Sequence, residues 1–214
     1  MLKHSRILSI LVLTSLVLTA CGAGAQPAAT PTGSGPQKWG APNQVIDVTH
    51  NYHATLTTSK GKIVIELYPK TAPKNVNSFV FLAGQGYYNN ITFHRVIADF
   101  MAQTGDPTGT GTGSPGYTVP LEVNASLKYD QPGRVGMART NDPNSAGGQF
   151  FITVQPYPSL DPNPSTGNAG YTIIGQVLEG MDVVRHLRLR DPQQNPNFPG
   201  DTLVSVTVED LTSK

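Results

Sequence analysis

The sequence predicts a mainly β domain of antiparallel strands joined by many turns, with two helices. Three observations carry that expectation. Gly (22) and Pro (18) are abundant, and only 14% of the residues are charged, which suits short strands and turns better than a helical bundle. Short runs recur along the chain in which apolar residues occupy every second position or form compact β-rich clusters. Two stretches change to a period near 3.6.

In chain order, Ala54 and Leu56, then Ile63, Ile65 and Leu67, alternate with polar residues on either side of Ser59-Lys60-Gly61, a hairpin turn. The next segment, TAPKNVNSFVFLAGQG, puts Val76, Phe79, Val80 and Ala83 on one helical face. Pro73 suits its first turn, and Gly84 or Gly86 its end. Strands are expected around 91–97, 100–103, 133–138, 149–154, 171–178 and 202–208. In GMDVVRHLRLR, residues Val183, Val184 and Leu187 suit a short second helix. Arg185, Arg188 and Arg190 would complement its C-terminal dipole, with anionic lipid headgroups as the alternative partner. Closing such strands into a barrel would remove exposed edges.

The N-terminus reads as a targeting segment. Lys3 and Arg6 precede the apolar run ILSILVLTSLVLTA, which is short for a membrane span. It ends in Leu18-Thr19-Ala20-Cys21, which resembles the lipobox of bacterial lipoproteins. That resemblance implies a signal peptide over 1–20 and a lipidated Cys21, with two acyl chains sufficing for stable anchoring. Cys21 is the only cysteine, so an intramolecular disulfide is excluded. Residues 21–44 are rich in Gly, Ala, Pro, Thr and Ser and read as a flexible linker with a reach on the order of 25 Å. Trp39 falls in that linker and is not expected to nucleate the core. The domain proper is expected over 45–214, held at the membrane of a bacterial envelope, outside the cytoplasm.

Charge excludes one large class of function. The formal net charge is +1, and removing Lys3 and Arg6 leaves 13 basic against 14 acidic side chains. A nucleic-acid binder would be far more basic. Gly111, Gly113 and Gly116 spell G-x-G-x-x-G, but Pro115 interrupts the motif and no helix opens after it, so a dinucleotide site is rejected. His50 and His53 have metal-like spacing without a further ligand nearby. His94 is expected to be a hydrogen-bonded core residue. No nucleophile elbow or informative acidic pair is present.

What remains is FHRVIADFMAQ, residues 93–103. Read as a strand, Phe93, Arg95 and Ile97 share one face. A half-buried guanidinium needs a partner. That partner is either a local carboxylate, which makes Arg95 structural, or a ligand, which makes the apolar neighbours a pocket. Downstream, Gln149 and Phe151 share a face after the loop ARTNDPNSAGG.

FHRVIADFMAQTGDP together with GMARTNDPNSAGGQFFI strongly resembles the cyclophilin-type peptidyl-prolyl cis–trans isomerases, over about residues 52 to 210. The resemblance implies a closed eight-stranded antiparallel β-barrel capped by two α-helices, with the site on its outer surface. It implies that Arg95 is the catalytic arginine and that Phe100, Met101, Phe151 and Leu160 form a proline pocket bordered by Tyr171. Gln103 and Gln149 would hold substrate backbone, and Ala138, Arg139 and Thr140 would line the peptide groove. Ser159 stands where many members carry an aromatic residue, Tyr171 where histidine is frequent, and Arg139 where asparagine is frequent. The expected partners are proline-containing peptides and folding exported proteins, handled by a monomer that needs no cofactor or metal. The alternative is a non-catalytic proline-peptide-binding or chaperone module with the same pocket.

Overall fold

The computed structural model describes residues 37–212. Ser59 and Lys60 turn the chain between β1 (Tyr52–Thr58) and β2 (Gly61–Leu67), pairing Ala54 with Ile65 and Leu56 with Ile63. These four side chains are fully buried, so the alternation in the sequence becomes one covered sheet face. Helix α1 (Pro73–Gly84) turns Val76, Phe79 and Leu82 onto the same core. Its N-cap, Ala72, offers no side-chain acceptor. Glu122 serves instead, accepting from the Lys74 and Asn75 amides at 3.2 and 3.0 Å, which places a carboxylate at the positive end of the helix.

The remaining strands are β3 (Ile91–Thr92), β4 (Arg95–Ile97), β5 (Met101–Thr104), β6 (Arg134–Met137), β7 (Phe150–Thr153), β8 (Ile173–Glu179) and β9 (Thr202–Asp210). All pairings are antiparallel, in the order β3-β9-β1-β2-β8-β6-β7-β5-β4. Among the described residues the sheet therefore has nine strands, where a closed barrel of eight was expected. The difference lies in 91–97. That segment breaks at Phe93 and His94, and its halves β3 and β4 pair with opposite ends of the sheet, to β9 and β5. The break also corrects a shared face: Phe93 is fully buried in the main core, whereas Arg95 and Ile97 are half-buried on the other side.

The second helix, α2, covers only Met181–Arg185. Arg185 lies in its last turn, but Arg188 stacks on Phe198 at 3.6 Å from the ring centre, and Arg190 donates to the Phe198 and His94 carbonyls. These two arginines pin a loop rather than complement a helix end.

Part of the segment expected to be linker is docked. The Trp39 amide donates to the Pro115 carbonyl at 2.8 Å, and its ring meets Phe81 and Tyr87 edge-on at 5.7 and 5.9 Å. Asn77 on α1 bonds the backbone of Asn43 and Val45. A chain starting at residue 45 is accordingly expected to be less stable than one starting at 37, by about 1–3 kcal/mol in urea unfolding. Trp39→Ala in the longer chain should reproduce most of that loss.

Farther along, His50 Nδ1 lies 2.8 Å from Asp210 and its Nε2 3.8 Å from Asp47, with Tyr52 stacked alongside. The Asp210 hydrogen bond raises the His50 pKa above its ordinary 6.5; partial burial opposes this, and the charges of Asp210 and Asp47 reinforce it. Because the folded value is raised, the stabilisation is complete below about pH 6.5 and is lost as pH rises through the folded value. Urea unfolding across that window should show the loss in the wild type and little of it in His50→Gln.

Candidate active site

Strand register builds the site. Arg95 on β4 faces Gln103 on β5, Gln103 faces Phe151 on β7, and Phe151 faces Gly136 on β6. Four strands thus contribute one row on the sheet face opposite the main core. Residues one step along each strand, Val96, Ala102, Ile152 and Val135, point into that core. Glycine ends the row for a steric reason: a Cβ on Gly136 would lie 2.4 Å from Phe151 Cζ and 2.2 Å from the Tyr129 hydroxyl. The empty position lets the Phe151 ring lie flat on the sheet, stacked on Tyr129 at 5.9 Å.

A second, smaller apolar cluster forms on this face. Met101, Tyr129, Phe151, Leu160 and Ile173 are its buried members, with Phe100, Ala138, Tyr157 and Tyr171 packed around them. Phe100 is braced by Tyr157, their ring centres 4.3 Å apart. Leu160 sits in a single 3-10 turn, Pro158–Leu160, and its carbonyl accepts from the Tyr171 amide at 3.2 Å. A cavity of about 120 Å³ opens over the cluster, lined by Arg95, Phe100, Met101, Gln103, Ala138, Arg139, Phe151, Leu160 and Tyr171. Thr140 and Gln149 line an adjoining cavity of about 470 Å³ instead. Ser159 borders neither; it is exposed, and its carbonyl accepts from the Asn168 side-chain Nδ2. Cys21 lies outside the described residues.

Arg95 is poised rather than neutralised. Its Nη1 donates to Gln103 Oε1 at 3.4 Å, lies 4.0 Å from Met101 Sδ, and its guanidinium carbon sits 5.5 Å from the Phe100 ring centre. Among the described residues no carboxylate comes within 4 Å of it. An amide relay holds its neighbour: Gln103 Nε2 donates to Gln149 Oε1 at 2.9 Å, and Gln149 Nε2 donates to the Gly111 and Gly113 carbonyls at 3.0 and 3.2 Å.

The glycine loop ends that relay on a buried acid. Asp106 is fully buried, and its carboxylate accepts from the Thr108 amide and hydroxyl and from the amides of Gly111 and Gly113, at 2.6–3.0 Å. A Cβ on Gly113 would sit 1.9 Å from Asp106 Oδ1, so the close wrap requires glycine. Burial opposes ionisation of Asp106, but the hydrogen bonds from Thr108, Gly113 and Gly111 together outweigh it and lower the pKa. The G-x-G letters thus encircle this protein's own carboxylate. The sequence signal for that role was the acid two residues before Thr108, the spacing of an Asx turn.

His94 is buried as expected, but its ring nitrogens make no hydrogen bond among the described residues. Burial lowers its pKa; Asp106 opposes that, while the Arg190 and Arg95 charges add to it. Among the described residues no group of three or more His, Cys, Asp or Glu side chains is placed to hold a metal ion, and His50 is paired with Asp210 instead. Tyr129, Tyr157, Gly136 and Asp106 shape the site without having been singled out in the sequence.

An apolar cavity beside an unpaired guanidinium, on the outer face of an antiparallel sheet, defines a surface site for a ligand with a compact apolar group and a hydrogen-bond acceptor. The family described as cyclophilin type peptidyl-prolyl cis-trans isomerase/CLD matches residues 53–208. This chain belongs to that family, and it is a peptidyl-prolyl cis–trans isomerase. It is 45% identical over 135 residues to peptidyl-prolyl cis-trans isomerase-like 1 of Aspergillus niger, a match covering 62% of this chain and 78% of that one. It is 43% identical over 136 residues to peptidyl-prolyl cis-trans isomerase CYP18-2 of Arabidopsis thaliana, with the same coverage. A crystal structure of a Cryptosporidium parvum cyclophilin type peptidyl-prolyl cis-trans isomerase superposes with a TM-score of 0.65 at 30% identity, covering 75% of this chain and 99% of that one. The same protein has been crystallised in the presence of the dipeptide Ala-Pro.

Proposed function

We propose that Arg95 accelerates rotation about Xaa-Pro bonds by hydrogen-bonding the amide when it is twisted. The observation that carries this reading is a guanidinium without a carboxylate partner at the edge of an apolar cavity. An amide resists rotation by about 18–20 kcal/mol because the nitrogen lone pair is delocalised. At the twisted midpoint that pair returns to nitrogen, which becomes a better acceptor. A guanidinium can meet it there and still hold a carbonyl oxygen. Such a contact is stronger at the midpoint than in either planar form, which is what lowers a barrier. Met101, Phe151 and Leu160 grip the proline ring while the flanking chain turns. Gln103 and Gln149 hold the peptide backbone, and Ala138, Arg139 and Thr140 guide it along the groove. No bond is made or broken, so the chemistry requires no nucleophile or metal.

The substrates on this reading are folding exported proteins, met at a bacterial envelope membrane by a monomer tethered through a lipidated Cys21. The leader and its Leu-Thr-Ala-Cys ending support the tether. Labelled palmitate should enter the wild type and not Cys21→Ala, and label in both would remove the anchor from the account. Exchange NMR on a blocked Ala-Pro peptide tests the activity. Cross-peaks between cis and trans forms should grow with added protein; binding without faster exchange would favour a peptide-holding module.

A further inference from the structure

We propose that Arg139 makes this isomerase select prolyl peptides that carry a carboxylate beside the proline. The inference rests on the groove being the peptide site. Arg139 stands on the rim between the two cavities and lines both. Its guanidinium is fixed in three ways: Nε donates to the Gly170 carbonyl at 2.9 Å, Nη1 donates to the Thr140 carbonyl at 2.8 Å, and Cζ sits 4.4 Å over the Tyr171 ring. Nη2 has no acceptor among the described residues, and no carboxylate there lies within 4 Å of the group.

The surroundings do not cancel this charge. Among the described residues no Asp or Glu lines either cavity, whereas Arg139 lines both and Arg95 lines the smaller one. The nearby acids are turned to other work. Asp161 accepts from the Tyr129 amide, Asp142 from the Asn144 amide, and Asp106 is enclosed by its glycine loop. A peptide leaving the proline pocket toward the larger cavity passes a positive guanidinium held in place. Because it is already ordered, binding an anion there costs little side-chain entropy. A carboxylate near the proline is attracted, and a lysine ammonium is repelled.

The test uses blocked proline tetrapeptides with Glu, Gln or Lys, placed in separate series immediately before the Xaa-Pro pair and immediately after it. Exchange NMR gives kcat/KM, each value divided by that peptide's uncatalysed rate. In low salt the wild type should favour Glu over Lys by roughly fivefold in one of the two series. The preference should shrink in about 0.5 M salt, where screening is strong. In Arg139→Gln the ratio should approach one. A wild-type ratio near one in both series overturns the proposal, as does a preference that survives in Arg139→Gln. Salt dependence in the wild type decides the matter if the variant fails to fold. Faster exchange of all peptides with no charge preference sinks this inference alone, whereas no acceleration of any peptide sinks the isomerase reading of the groove.

Discussion

Arg95→Ala is expected to lower kcat/KM on a proline peptide by on the order of a hundred- to a thousandfold, the usual cost of removing a preorganised donor. The fold should be nearly unaffected, with stability changed by less than about 1 kcal/mol. Both halves of that expectation follow from its contacts. Arg95 is half-buried, its hydrogen bond to Gln103 is long at 3.4 Å, and no carboxylate would be left uncompensated by its loss. The apolar floor of Met101, Phe151 and Leu160 stays in place, so the loss should fall on kcat more than on KM. Arg95→Lys keeps the charge but not the planar fork, and should recover only a small part of the rate. Exchange NMR for kcat/KM, with urea unfolding for stability, reads both.

The second large effect should come from Asp106, which touches no part of the apolar cavity. In Asp106→Ala the amides of Thr108, Gly111 and Gly113 lose a buried charged acceptor at one stroke. That should destabilise the protein by about 3–5 kcal/mol. The glycine loop is also the far end of the relay through Gln149 and Gln103 to Arg95. Where Asp106→Ala still folds, kcat should therefore fall by about tenfold as the relay loosens, the scale on which small misplacements act. Asp106→Asn keeps one acceptor oxygen and should lose less of both. The pH dependence has a defined sign. Because the folded pKa is lowered, the stabilisation is complete above the ordinary 3.8 and is lost as pH falls through the folded value. Acid unfolding followed by Trp39 fluorescence should show that loss in the wild type and not in Asp106→Ala.

Period-two alternation made much of the site readable. It placed Arg95 with Ile97 and Gln149 with Phe151 on common faces, and the hairpin and α1 follow the sequence closely. The face of Phe93 was not readable, because alternation has meaning only inside an unbroken strand and the chain breaks at Phe93 and His94. The docking of Trp39 was hidden for a different reason. Its partners Phe81 and Tyr87 lie more than forty residues away, and a Gly/Pro-rich neighbourhood carries no periodic signal. Tyr129 and Tyr157 stayed invisible likewise, since each braces a pocket ring from a distant loop. Asp106 was obscured by the glycines after it, whose letters suggest an external anion.

The most direct measurement is the exchange rate of a blocked proline peptide lacking ionisable side chains, with and without the protein, from about pH 6 to pH 9. A guanidinium stays protonated throughout that range. Burial holds His94 below its ordinary 6.5 and hydrogen bonds hold Asp106 below its ordinary 3.8, so the upper part of that range, above about pH 7.5, lies clear of both. The prediction is a large acceleration that stays flat with pH. Acceleration that rises or falls along a titration curve would assign the chemistry to a proton-transferring group, and no acceleration at all would remove Arg95 from the centre of the account.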